Sequence, residues 1–441
     1  MAIASRVPKR VLSAFAASAA EAGKLPEEAV AAAVPLPSSA AAERRPLEFD
    51  DTGRLFAGER TSALVRTLAA LQALSVGPLV DVGIAALRSP AVAGSALGKA
   101  AARATAYKHF CAGETADEAA GVASVCIKIT ALCPIALLEK ASDLLRWQHK
   151  HPSFALPWKA HSFPILSDSS PLHLTPSEPP ALTPEEEREL EAAHERLLAV
   201  GARCAEHGIP LLVDAEYATV QPAIDYFTIV GALAFNGDAT ASGNGNIERP
   251  IVHGTIQAYL RDARDRLEAM VRAAERERVR LGLKVVRGAY IARETRLAAS
   301  LGVPSPVHAC IQDTHACYNG CAAFLLDRVR RGTASVMLAT HNVESGQLAA
   351  ARARELGIPG ADPNLQFAQL MGMADGLSLG LRNAGFQVSK YLPYGPVDQI
   401  IPYLIRRAEE NRGLLSASSF DRQLLRKELV RRMKAAVVGR E

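Results

Sequence analysis

Seven short apolar runs recur along the chain, each ending in polar residues and separated from the next by helix-patterned sequence. They are SVCIKITAL (124–132), IPLLVDAEY (209–217), IVHGTIQAY (251–259), LKVVRGAY (283–290), SVMLATHN (335–342), LQFAQLMG (365–372) and FQVSKYLPYG (386–395). A strand covered on both faces reads as a continuous β-branched run rather than as an alternation. Strands alternating with helices imply parallel β-α units, because a parallel neighbour is reached only through a crossover. So many units in one stretch fit a (β/α)8 barrel better than an open sheet. In such a barrel the side chains at the carboxyl ends of the strands face one mouth. Those ends carry Lys128, Asp214 and Glu216, Gln257, Arg287 and Tyr290, His341 and Asn342, and Tyr391. Each alone reads as a cap or a satisfied core group. Polar residues placed alike in unit after unit read as a site.

With 441 residues, 49% of them apolar and 22% charged, the chain can build a large core, as one barrel with additions or as two domains. A net charge of +4 is too small to mark the whole surface for nucleic acid. Seven cysteines, an odd number without C-x-x-C spacing, argue for a reducing compartment and against structural zinc. Cys317 and Cys321 share a helical face and read as buried thiols. No run of 18 apolar residues exists, so nothing spans a membrane as a helix.

Residues 1–21 carry Arg6, Lys9 and Arg10 in an Ala/Ser-rich stretch with no acidic residue before Glu21. The pattern reads as a mitochondrial or plastid transit peptide more than a secretory signal. Residues 22–60 read as linker, and 61–118 as a helical region broken near Gly77–Pro78 and Ser89–Pro90. The barrel is expected over 119–415, interrupted by a Pro/Ser-rich insertion at 151–182. A helix follows, with Thr183 as cap, Pro184 in the first turn and Glu186 completing a capping box. The Gly-Asn-Gly of the 236–246 loop follows no strand into a helix, so it is no dinucleotide fingerprint. Residues 416–441 form a basic helix with Leu425, Leu429 and Met433 on one face, ringed by Arg422, Arg426, Lys427, Arg431, Arg432 and Lys434. That face suits either packing on the barrel or peripheral attachment to an anionic membrane.

One charged stretch stands apart. YLIRRAEEN (403–411) sets Arg406 beside Arg407, and helix neighbours point roughly 100° apart. Such clusters are most often solvated faces, and Arg406 with Glu410 makes an ordinary i,i+4 pair. The functional alternative is a clamp for a small carboxylate, which planar guanidinium groups match.

Together, KVVRGAY, ATHN, FAQLMGMAD and YLPYGPVDQIIPYLIRRAEEN resemble the proline dehydrogenase family, in its monofunctional plant-type form. The resemblance covers most of 124–415 in order. It implies oxidation of L-proline to Δ1-pyrroline-5-carboxylate, with hydride passing from C5 of proline to N5 of an FAD. By position, Arg406, Arg407 and Lys128 would hold the proline carboxylate. Tyr290, Leu370 and Tyr391 would pack on the ring, with Asp214 beside it. FAD would lie against Ala215, Gln257, Lys284, Val286, Arg287, Gly288, Ala289, Thr340, His341, Asn342 and Glu410. In bacterial relatives an arginine is expected at the place of Lys284 and a lysine at that of Arg287. The proton leaving the amine has two candidate acceptors, Asp214 and solvent. The resemblance further implies a mitochondrial matrix or inner-membrane setting, with a quinone or other respiratory acceptor. Three other readings stay open: a Schiff-base enzyme using Lys128, a hydroxyproline dehydrogenase in which Tyr391 shapes room for a ring hydroxyl, and a flavin-free or impaired relative.

The last reading has a reason behind it. A closed barrel needs eight strands, and only seven runs are visible. The family's first strand carries an acidic signature, and no such signature precedes Lys128. The expectation is therefore an open barrel lacking its first strand-helix unit, less stable than its relatives, unless residues from the N-terminal region fill the gap.

Overall fold

The computed structural model describes residues 77–81, 124–163, 166, 177–206, 208–237 and 249–393, with single positions at 405, 423, 426, 427, 429 and 430. Of two units in the chain, Met1–Phe49 and Asp50–Glu441, all described residues belong to the second. The transit peptide, the linker and most of the C-terminal helix therefore lie outside the described residues, as does most of 61–118.

In chain order the elements are β1 (Gly77–Asp81), β2 (Ser124–Ile127), α1 (Ile135–Lys150), α2 (Pro184–Glu206), β3 (Leu211–Val213), α3 (Gln221–Phe235), β4 (Val252–Gln257), α4 (Ala263–Arg276) and β5 (Leu281–Val286). Then come α5 (Ile291–Ser300), α6 (Ile311–Arg330), β6 (Ala334–Ala339), α7 (Val343–Glu355), β7 (Leu365–Leu370), α8 (Asp375–Asn383) and β8 (Val388–Pro393). The eight strands pair in sequence order, all parallel, and close on themselves.

The expected gap is closed. Strand β1 pairs with β2, Leu79 opposite Ser124, and with β8, Leu79 opposite Tyr391. The open-barrel expectation fails because the first strand comes from Gly77–Asp81, within the region read as helical. Gly77–Pro78 had the look of a helix break, but proline is also tolerated as an early strand residue. GPLVD sits among Ala/Leu-rich sequence that reads as helix, so no strand pattern stands out.

The strands form for a plain reason. SVCI, LGLKVV and ASVMLA are mostly β-branched or apolar and almost wholly buried, as an inner sheet requires. Their outward residues join one large core with the helices, including Leu138, Phe227, Leu267, Leu326 and Phe367. Burying one such side chain stabilises by about 1.5–3 kcal/mol. Their inward residues form a second cluster of Cys126, Leu212, Met337 and Ala368, with Ala339 and Tyr391 packed against it. Below this layer the barrel is polar: His253 Nε2 lies 3.3 Å from Ser335 Oγ, and Gln366 donates to Ser389 Oγ at 2.6 Å. Gly282 is required there, since a Cβ would meet the His253 ring at 2.7 Å.

The helical layer follows its sequence signals. The capping box before α2 forms as expected: Glu186 N–H donates to Thr183 Oγ1 at 3.2 Å and Thr183 N–H to Glu186 Oε2 at 3.0 Å. Helix α3 is buried nearly all round because α1, α2 and β4 cover it. The start of the 151–182 insertion is pinned onto it, with the Ala160 N–H donating to Tyr226 Oη at 2.7 Å and Trp158 edge-on to the same ring.

Candidate active site

Strand periodicity of two carries the inward face up to the mouth, so Cys126 is followed by Lys128, Leu212 by Asp214, and Ser389 by Tyr391. Asp214 is the centre of what gathers there. Its Oδ2 accepts from Lys128 Nζ at 2.6 Å and from Tyr391 Oη at 3.0 Å, while Oδ1 accepts from Lys284 Nζ. Lys284 Nζ also stands 5.9 Å from the Tyr391 ring centroid. Burial by itself would raise the Asp214 pKa, but the Lys128 and Lys284 ammonium groups outweigh it and hold the carboxyl well below its usual range. Burial would likewise discharge Lys284, yet Asp214 keeps it charged and above its ordinary value. One carboxylate is thus paired with two cations at the mouth.

The neighbouring groups are arranged around that centre. Glu216, predicted at the same strand end, turns to Thr130, whose Oγ1 donates to its carboxylate at 2.8 Å. Gln257 Nε2 donates to the Glu216 carbonyl at 2.8 Å and lies 3.1 Å from Tyr259 Oη, leaving Gln257 Oε1 buried with no partner. Tyr290 meets Tyr217 edge-on at 4.7 Å, and Arg293 lies 3.4 Å over the Tyr217 ring. Gly288 brings the backbone against Tyr259, where a Cβ would come within 2.2 Å of the ring.

At the far side, Arg287 Nε donates to Thr340 Oγ1 at 2.9 Å. The Leu370 N–H donates to His341 Nε2 at 3.1 Å, so this neutral ring carries its proton on Nδ1. Burial first, then Lys390 and Arg287, push the His341 pKa down to about 4. Asn342 is used structurally: its Oδ1 accepts from the Ser345 N–H at 2.8 Å and caps α7.

Thus Lys128, Asp214, Lys284 and Tyr391 are brought into direct contact. Gln257, Arg287, Thr340, His341 and Asn342 stand at the same strand ends, and Ala215, Val286, Ala289, Tyr290 and Leu370 are half-buried around them. Arg406, Arg407 and Glu410 lie outside the described residues. Sequence reasoning missed three partners of Arg287, namely His315, Tyr318 and Ser345. They sit on α6 and α7, outside the strand ends, and no local signal marks them. Among the described residues no group of His, Cys, Asp and Glu could hold a metal ion.

A closed parallel barrel whose carboxyl-end mouth gathers buried, mutually ionised side chains has the architecture of a barrel enzyme, with its candidate active site at that mouth. Residues 84–423 match the proline dehydrogenase family model. The chain belongs to the proline dehydrogenase family. It is 47% identical to proline dehydrogenase 2, mitochondrial, of Arabidopsis thaliana, covering 88% of this chain and 91% of that one. Proline dehydrogenase 1, mitochondrial, of the same organism is 45% identical over 89% of this chain and 87% of its own length. The two aligned spans run to 442 and 446 positions, longer than this whole chain, so these relatives carry residues that it lacks. Among solved structures, proline utilization A from Bdellovibrio bacteriovorus shares the fold with a TM-score of 0.56 at 20% identity, over 79% of this chain. The match spans only 31% of that longer protein.

Proposed function

We propose that the chain is a proline dehydrogenase that oxidises L-proline to Δ1-pyrroline-5-carboxylate with FAD as its acceptor. One observation carries this reading: Asp214 held between Lys128 and Lys284 under the Tyr391 hydroxyl, at the mouth of the barrel. The residues present fit a flavin. Gln257 offers a buried oxygen without a partner, and Arg287, Thr340 and His341 offer polar groups at adjacent strand ends. Bound there, a flavin would supply the acceptor for the hydride that leaves C5 of proline.

The chain's own residues then have defined tasks. Lys128 gives the substrate carboxylate a cation, joined by Arg406 and Arg407 of the YLIRRAEEN stretch. Tyr391, Leu370 and Tyr290 would bound the apolar ring, and ordering it against the acceptor is the main contribution to rate. Asp214 is a weak base, because two ammonium groups stabilise its ionised form. It positions Lys128 and Tyr391, and the amine proton goes to solvent. A Schiff-base role for Lys128 fits poorly, since the neutral amine it needs is here a charge partner of Asp214.

Both Arabidopsis relatives are named mitochondrial, which with the basic, acid-free N-terminus supports a mitochondrial setting. On the C-terminal helix, Leu429 and Val430 are exposed beside the exposed Arg426 and Lys427. That supports peripheral contact with an anionic inner membrane and electron delivery to a quinone. The purified chain should show a flavin spectrum bleached by L-proline and far less by hydroxyproline. A colourless protein, or a flavin that proline does not reduce, would refute the proposal.

A further inference from the structure

Arg287 is held from four sides. Its Nε donates to Thr340, its two terminal nitrogens to His315 Nδ1 and Ser345 Oγ, and its carbon lies 4.7 Å from the Tyr318 ring centroid. A guanidinium has donors only, so His315 Nδ1 must accept, and the ring is neutral with its proton on Nε2. That makes the contact conditional. Protonation would convert the acceptor into a donor and set a second cation against Arg287.

Among the described residues, the charged and titratable groups facing His315 are Arg287 at the end of β5, Glu344 in the first turn of α7, and Tyr318 on α6 itself. Burial, then Arg287, lower the His315 pKa from its ordinary 6.5, and Glu344 opposes them. The ring is half-buried, so a proton can reach it.

We propose that His315 is a positioning residue: in its neutral form it fixes the Arg287 guanidinium at the mouth, and its protonation releases that guanidinium and loosens the flavin. This rests on the reading of Arg287 as a flavin contact. The Arg287 fork is rigid and needs a matched acceptor on each side.

The test follows flavin release from the holoenzyme by FAD fluorescence between pH 5 and 8 (roughly the range in which histidine titrates), together with kcat and KM for proline. Wild type should lose flavin progressively as pH falls below 6.5. In His315→Gln the amide oxygen still accepts from Arg287 but cannot titrate. Neutral-pH retention should stay near wild type while the acid loss shrinks. His315→Leu, without an acceptor, should hold FAD roughly tenfold more weakly at neutral pH. An acid limb in His315→Gln identical to that of wild type would overturn the proposal, as would unchanged retention in His315→Leu. Wild type that binds FAD but ignores proline would count against the substrate reading alone. A wild type that binds no FAD at any pH overturns both.

Discussion

Two buried ionic clusters sit at different depths of the same barrel, and they are mirror images in charge. At the mouth, two ammonium groups, Lys128 and Lys284, share the single carboxylate Asp214. In the outer shell, between α3 and α4, two carboxylates share the single guanidinium Arg266: it is paired with Asp225, and its Nε lies 4.0 Å from Asp262. The titrations diverge accordingly. Asp214 is held well below the usual carboxylate range, whereas burial, opposed by one arginine, pushes Asp225 up. Arg266 itself is raised, because Asp225 and Asp262 outweigh its burial. The shell cluster is sealed, with Arg266 and Asp262 almost wholly covered. The mouth cluster keeps Lys128 partly open, at 20% side-chain exposure. A closed, carboxylate-rich cluster ties helices together. An open, cation-rich one is suited to an incoming anion.

The comparison breaks most sharply in the shell. Arg266→Met would leave two buried carboxylates without their cation, a loss of roughly 3–5 kcal/mol. Calorimetry should show a much lower melting temperature, with the KM for proline in the surviving enzyme unchanged. A melting temperature equal to wild type would strip the shell cluster of its structural role.

At the mouth the opposite signature is expected. On the proposed reading, Lys128→Met, Arg406→Met and Arg407→Met would each remove one cation from the substrate carboxylate, and a hydrogen bond to a charged group contributes roughly 1.5–3 kcal/mol. Steady-state kinetics should then give a KM for proline about 10- to 100-fold higher, with flavin content maintained. If KM stays put in the two arginine variants, the pair reverts to a solvated helix face.

Acid separates stability from the charge state of the mouth. His194, His253 and His341 are kept neutral by burial, with pKa values pushed down to about 4, 3 and 4. The unfolded chain takes up protons at the ordinary 6.5, where the folded chain does not. Unfolding therefore binds protons, and stability is full above that value and falls as pH drops toward 4. Melting curves across that window should show a steady decline, while Asp214 stays ionised throughout it. A melting temperature flat across the window would contradict the neutral burial of these rings.

The smallest effect belongs to the hydroxyl at 3.0 Å from Asp214. Tyr391→Phe removes one hydrogen bond to a carboxylate that two cations already satisfy, about 1 kcal/mol. Competition between proline and hydroxyproline should shift by only a few-fold. A large change in selectivity would mean that Tyr391 itself shapes the room around the ring.

Sequence and tertiary structure divide the account along a physical line. The other seven strands were legible because each lies in a mostly apolar, buried run with a polar end, a pattern that burial on both faces imposes locally. The same pattern exposed Lys128, Asp214, Gln257, Arg287, His341 and Tyr391 as one set of strand ends, and the Thr183–Glu186 capping box was readable from its spacing alone. The first strand was not legible. Gly77–Asp81 lies in Ala/Leu-rich sequence that reads as helix, and its place as a strand is set by pairing with β2 and β8 on either side. Nor could the sequence show that Asp214 would lie between two lysines, Lys284 at 70 residues' separation and Lys128 at 86, or that Arg287 would be gripped by His315 and Ser345 from α6 and α7. Local pattern decides which residues form strands and which lie at their ends. Which ends touch depends on closing the barrel, a long-range event with no period to read in the chain.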